Sequence, residues 1–293
     1  MPMQENNQSA IHNTVRHNDL NAVQLFHTIV EAGKESSSIH AHAKIEISLI
    51  LRGTGIYRTP KRDYKVAPGD IYFFRPNESH YLTNIESQDV VLLSLHIAPY
   101  YLYTNSHPSL TSEYIGFLSS NYRIESHRIN DFGPEEQINM IASNIHNIWV
   151  EMQNEENNFD ICVKNYISII SICLSRVLSS NHAEDSAARN SCQKIGAAIE
   201  YINQHFRENI TLEILAEQVG YSRSHFSAEF HKWMGMTTWN YISIKRVEEA
   251  LALIKTTDLP ILEIALACGF NNAANFGKTF KKYTNLTPSS FRP

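Results

Sequence analysis

The chain has 293 residues, a net charge of −5 and 43% hydrophobic side chains, enough for two domains with real cores. No apolar run reaches the roughly 18 residues that a membrane-spanning helix needs. The four cysteines, Cys162, Cys173, Cys192 and Cys268, are scattered without a CxxC pair, which excludes a zinc ribbon and a disulfide framework. They read as buried free thiols of a reducing cytoplasm.

Residues 1–18 are polar and rich in His and Asn, without the basic-then-apolar order of a signal peptide, and read as a disordered tail. Residues 25–98 read as short strands, among them 45–51, 56–59, 71–74 and 90–97. Turn signals separate them: Gly53 and Gly55, Pro60, Pro68-Gly69-Asp70, and Pro76-Asn77. Regular short strands of this kind predict an antiparallel sandwich or barrel, here a domain over 19–133.

Inside that domain His40, His42 and Glu46 share parity, so on one strand they face the same way. His80 follows on a separate strand or turn, where closure of the sheet brings it near. Three readings compete for this set. The leading one is an effector pocket built from His40, His42, Glu46, Arg52, Tyr72 and His80, with no metal or cofactor. Tyr57, Tyr64, Phe73, Phe74, Tyr81 and Arg75 are further candidates for its walls. The second is a divalent metal held by His40, His42, Glu46 and His80. The third is a core whose polar groups satisfy only each other. His96, on an apolar strand, reads as a satisfied core residue.

Two helical segments follow, 134–153 and 159–178, in a segment over 134–180. The repeated apolar faces of Ile141, Ile145, Ile148, Ile167, Ile170 and Leu174 predict a homodimer contact. Residues 181–191 have little hydrophobicity and read as a linker.

Residues 192–293 repeat one pattern twice. Leu215-Ala216, Val219-Gly220 and Tyr221 return 49 residues later as Ile264-Ala265, Cys268-Gly269 and Phe270. Phe226, Phe230, Lys232 and Thr237 return at an offset of 50 as Phe276, Phe280, Lys282 and Thr287, so the second copy carries one extra residue. Small Ala, then Gly, then a capping residue (Ser222, Asn271), then an i, i+4 Phe pair is the logic of a helix-turn-helix. One face of each second helix is core and the other polar or small. The candidate DNA-facing residues are Arg223, Ser224, Ser227, Ala228, His231 and Lys232, then Asn271, Asn272, Ala274, Asn275, Lys278, Lys281 and Lys282. Residues 238–255 read as one connecting helix with Trp239 on its apolar face, and Asp258 as the cap of the next. Lys245 and Arg246 read as solvated. This region carries 11 Lys+Arg against 9 Asp+Glu, and residues 1–191 carry 14 against 21. A DNA-facing patch must therefore come from asymmetry rather than excess.

The repeat resembles the DNA-binding domain of AraC/XylS-type bacterial transcription regulators, most specifically over Ile264 to Phe270, Asn275 to Tyr283 and Thr287 to Arg292. The His40-to-His80 stretch resembles the two motifs of the cupin barrel. Together these imply an α+β chain: a cupin-like antiparallel β-barrel with a helical dimerisation segment, then an all-α double helix-turn-helix domain. They imply a cytoplasmic, non-enzymatic activator that binds double-stranded DNA and RNA polymerase, and answers to a carbohydrate in the barrel. The alternatives are a metal-dependent cupin-type enzyme or metal sensor fused to a DNA-binding domain, and a regulator of stress or virulence genes with a non-sugar input.

Overall fold

The computed structural model describes residues 13–17, 22–33, 41–83, 88–105, 126–179 and 186–292. They fall in two compact units, one containing Ala22–Ala183 and the other Glu184–Pro293.

The first unit holds two antiparallel sheets. Strands β1 (Asn13–His17), β2 (Val23–Val30), β3 (Ile45–Arg52), β6 (Ile71–Phe74) and β8 (Val90–Ile97) form one, in the order β1-β2-β8-β3-β6. Strands β4 (Gly55–Arg58), β5 (Asp63–Val66) and β7 (Tyr81–Thr83) form the other, in the order β5-β4-β7. The antiparallel β expectation is met as two sheets, with no single closed ring of hydrogen bonds among the described residues. One expectation is corrected: Asn13–His17, placed in the disordered tail, pairs with β2 from Asn13↔His27 to His17↔Val23. A polar strand needs no apolar alternation when backbone pairing at a sheet edge holds it.

The larger sheet is covered on both faces. Val30, Ile50, Tyr72, Phe74 and Leu92 meet Tyr57, Tyr64 and Leu82 of the smaller sheet in one apolar cluster. The opposite faces of β2, β3 and β8 are also buried, with Leu25, Ile47 and Leu95 at no more than 1% exposure. Two helices follow, α2 (Glu135–Asn154) and α3 (Phe159–Ser179), after a short helix α1 (Pro99–Asn105). Trp149 of α2 stacks on His27 of β2 with centroids 5.3 Å apart. The residues expected at a dimer contact are not available to a second copy. Ile141, Ile145, Ile148, Ile167, Ile170 and Leu174 are all at most 2% exposed, inside their own unit. Among the described helices, α3 is long and apolar enough to cross a membrane on length and composition alone. Its Val163, Ile167, Ile170, Leu174 and Val177 are buried, as in a core helix.

The second unit is all helical: α4 (Ser186–His205), α5 (Leu212–Gln218), α6 (Arg223–Met234), α7 (Thr238–Thr256), α8 (Ile261–Ala267) and α9 (Ala273–Thr284). The linker is shorter than expected, because α4 already begins at Ser186. Ala, Ser and Arg support a helix even without apolar periodicity. The long α7 serves both halves. Tyr241 meets Phe230 with centroids 5.9 Å apart, and Val247, Ala250, Leu251 and Ile254 pack on Ile264, Ala265, Phe276 and Phe280. Trp239, expected on its apolar face, is instead 49% exposed. Arg246, expected in solvent, donates from Nε to the Phe206 carbonyl at 2.7 Å and from Nη2 to the Glu208 carbonyl at 2.9 Å.

Candidate functional site

The two helix-turn-helix units are built alike. The Ser222 hydroxyl accepts from the His225 N–H at 3.3 Å and caps α6. The Asn272 side chain accepts from the Asn275 N–H at 2.8 Å and caps α9. The cap was expected at Asn271. The extra residue of the second copy lengthens the turn and moves the cap one place on. Asp258 is no cap either: Pro260 precedes α8, without a side-chain cap bond. Both second helices end on a left-handed residue, Gly235 (φ 68°) and Asn285 (φ 62°). The phenylalanine pairs match closely: Phe226–Phe230 centroids are 5.6 Å apart and Phe276–Phe280 5.5 Å, all fully buried.

Anchoring each helix by that pair turns its other face outward. Arg223, Ser224, Ala228, His231 and Lys232 are exposed on α6, with Ser227 half-buried. Asn271, Asn272, Ala274, Asn275, Lys278, Lys281 and Lys282 are all exposed on or before α9. The structure thus puts the sequence-selected residues on two outward faces. Their electrostatics differ. Arg223 pairs with Glu213 at 2.9 Å and Lys232 with Glu229 at 3.4 Å. No described acidic side chain is paired with Lys278, Lys281 or Lys282. Lys282 instead reaches Asn240 Oδ1 at 3.2 Å.

In the first unit the polar set gathers on one carboxylate. Register pairs Glu46 with His96 and Ser48 with Ser94, on the inward face of β3 and β8. Along that face the residues change from apolar Ile50 and Leu92 through hydroxylic Ser48 and Ser94 to Glu46 and His96. Glu46 Oε2 lies 3.0 Å from His42 Nε2, 2.9 Å from His80 Nε2 and 3.2 Å from His96 Nε2. Its other oxygen accepts from Ser48 Oγ at 2.6 Å, and Ser48 lies 2.8 Å from Ser94 Oγ. Phe74 stacks under His80 with centroids 3.8 Å apart. Glu46 and His80 are buried (side chains 4% and 1% exposed), while His42 and His96 open to solvent at 25% and 15%.

Burial pushes the Glu46 carboxyl up, but the charge of His96 and the hydrogen bonds of His42, His80 and His96 outweigh it and hold it well below the usual carboxylate range. Burial pushes His80 down, yet its hydrogen bond to Glu46 and that charge raise it. Burial lowers His96 despite Glu46. Both ring nitrogens of His42 face acceptors: Nδ1 lies 3.0 Å from the Lys44 carbonyl and Nε2 3.0 Å from Glu46. A neutral imidazole has one proton for these two contacts.

Of the six residues expected around an effector, the structure brings together His42, Glu46 and His80. Arg52 sits at the exposed end of β3. Tyr72 is fully buried in the apolar cluster, its hydroxyl donating to the Lys65 carbonyl at 3.1 Å. His40 lies outside the described residues. Sequence reasoning missed His96 as a member of the cluster. The sequence marks His96 only as the one polar residue of β8 besides Ser94, and the β3–β8 register that brings it to Glu46 comes from the structure.

Comparison with known proteins agrees with both halves. A helix-turn-helix domain model matches residues 215–293 and a cupin domain model residues 26–96. An uncharacterised helix-turn-helix-type transcriptional regulator of Staphylococcus aureus (strain COL) is 38% identical over 99 residues, 34% of this chain and 13% of the relative. The chain thus covers about an eighth of that relative's length. A second, YdeC of Bacillus subtilis (strain 168), is 22% identical over 256 residues, 87% of this chain and 85% of that one. The chain carries a helix-turn-helix domain of AraC type and a cupin domain. The solved structure of an AraC-type regulator from Chromobacterium violaceum is 28% identical, with a TM-score of 0.33, and covers 35% of this chain and 91% of that one. The repeat and the histidine cluster fall inside the two matched domains.

Proposed function

We propose that this protein is a sequence-specific transcription regulator that reads two successive major-groove segments with α6 and α9. The observation that carries the reading is the pair of capped helices, each pinned by a buried phenylalanine pair and each turning a polar face outward. In this reading Lys278 and Lys281 supply most of the attraction to phosphate, because the cations of α6 are already paired. Asn275, Ser224 and Ser227 reach base edges, and Ala228 and Ala274 touch thymine methyls. The protein acts in the cytoplasm as an activator, and RNA polymerase is its partner on DNA.

The first unit is the sensor. Glu46, the Ser48–Ser94 hydroxyls, Tyr57 (whose hydroxyl donates to Ser48 at 3.3 Å) and the Phe26 ring beside His96 join directed polar groups to an aromatic face. That combination suits a carbohydrate. The effector works through its different affinity for the two states of the regulator.

Operator binding tests this reading, measured by fluorescence anisotropy on the promoter fragment it protects, with and without a panel of sugars. Lys278→Ala should weaken binding about equally across DNA sequences, and loss of its phosphate contact should flatten the salt slope by about 0.9. Arg223→Ala should cost less. Equal affinity of wild type and Lys278→Ala across salt would remove α9 from the interface.

A further inference from the structure

We propose that Lys194, Tyr221 and His225 form a clamp for one DNA backbone phosphate, so that α4 joins α6 in the interface of the first helix-turn-helix unit. This rests on the regulator reading and deepens it. The amines of α9 gain a counterpart in the first unit that comes from outside its recognition helix.

Each unit has an aromatic residue after its turn glycine and a cation from the preceding long helix over that ring. In the second unit the two are Phe270 and Arg246, with the guanidinium carbon 5.8 Å from the ring centroid. That arrangement is closed. Phe270 is buried, and Arg246 is occupied by the carbonyls of Phe206 and Glu208. In the first unit the two are Tyr221 and Lys194, with Nζ 4.4 Å from the centroid. Both side chains are only half-buried. The turn beside them is open as well, while the matching turn of the second unit is packed on the main chain of Arg207. The cation that braces the second unit is thus left available for a ligand in the first.

His225 completes the site. It stands where the second unit has Asn275, 50 residues on, and it is exposed in the first turn of α6. Its ring lies on Tyr221 with centroids 4.1 Å apart and planes at 31°. No described carboxylate is paired with Lys194 or His225, whereas Arg223 and Lys232 of the same unit are both paired. An ammonium brings three donors and an imidazole at least one. Both touch the same ring, so both can donate to one anion. The site lies on the flank of α6 that meets α4, where Ser191 reaches Glu229. A recognition helix meets bases with its outward face, and contacts beside it fall on the phosphate backbone. Tyr221 is a positioning residue that holds the two donors together.

The test uses the full chain and two labelled duplexes, the promoter fragment that it protects and one of random sequence, read by fluorescence anisotropy. Lys194→Gln should weaken binding to both duplexes alike and lower the salt slope by about 0.9, so its deficit should shrink about 3.5-fold between roughly 50 and 200 mM salt. Lys194→Arg should restore the slope. His225→Ala should weaken both duplexes alike, and His225→Gln, which keeps a side-chain N–H, should lose less. Tyr221→Phe, which keeps the ring, should bind more tightly than Tyr221→Leu. Melting curves of each variant separate loss of the site from loss of the fold. Unchanged affinity and slope in Lys194→Gln overturns the clamp. So does a loss in His225→Ala confined to the promoter fragment, which would make His225 a base reader. Lys278→Ala on the same duplexes separates the two readings. A lower slope there, with none in Lys194→Gln, sinks the clamp and leaves α9 on DNA, whereas wild type that binds neither duplex sinks both.

Discussion

The two helix-turn-helix units share a backbone plan but not a method of bracing. In the first, the turn glycine Gly220 (φ 66°) has open space around it, and the nearest atom to an added Cβ is Lys194 Nζ at 3.8 Å. In the second, Gly269 (φ 86°) lies against the main chain of Arg207, where an added Cβ would stand 2.5 Å from the carbonyl oxygen. Arg246 locks the same loop by donating to the carbonyls of Phe206 and Glu208, and Arg207 pairs with Glu249 of α7 at 2.5 Å. The second unit is therefore fastened to the end of α4 as well as to α7. The first is fastened from its recognition helix instead, where Glu229 accepts from Ser191 of α4 and from the Trp233 indole. Identical motifs reach rigidity by different means, and the difference can be measured.

The largest contrast is expected at the two glycines. Gly269→Ala adds a backbone clash, about 1–3 kcal/mol, to the left-handed penalty of about 1–2 kcal/mol. Gly220→Ala carries only the left-handed penalty. Melting curves of the two variants should therefore differ by several degrees, with Gly269→Ala the lower. Equal melting temperatures would mean that the Arg207 loop yields, and that the brace is not rigid.

The caps give the next effect. Asn272→Ala should destabilise α9 by about 1 kcal/mol, as Ser222→Ala should α6, while Asn271→Ala should leave stability unchanged. Hydrogen exchange in the first turn of α9 reads this directly. Faster exchange in Asn271→Ala than in Asn272→Ala would return the cap to the earlier residue.

Those two residues also mark the limit of what the sequence carries. The repeat was legible because each of its residues obeys a local rule: a Gly at a left-handed turn, a short polar side chain at a helix start, phenylalanines one helical turn apart. The cap shift was not, because one inserted residue moves the cap without changing the residue type. Glu46 and His80 were legible as a parity set and a turn histidine. His96 was not, since its role comes from the β3–β8 register, and pairing between strands about fifty residues apart leaves no local mark. Ile141 and its neighbours taught the reverse lesson. An apolar face is visible in the sequence, but what covers it is not, and here its own unit covers it.

The smallest contrast concerns pH. Burial pushes the Glu229 carboxyl up, but the Ser191 hydroxyl, the Trp233 indole and Lys232 outweigh it and hold it below its ordinary value of 4.5. A carboxyl with a depressed folded value stabilises the fold above its ordinary value, and that stability is lost as pH falls through the folded one. The second unit has Thr279 at the matching position and no such dependence. Glu229 is 16% exposed and Lys232 34%, so screening keeps the effect below about 1 kcal/mol. Between pH 6 and pH 3.5 the amides of α6 should lose protection against exchange faster than those of α9, and Glu229→Gln should remove that difference. Parallel loss in both helices in the wild type would place the acid sensitivity elsewhere and leave the Ser191–Glu229–Trp233 contact without a measurable role in bracing the first unit.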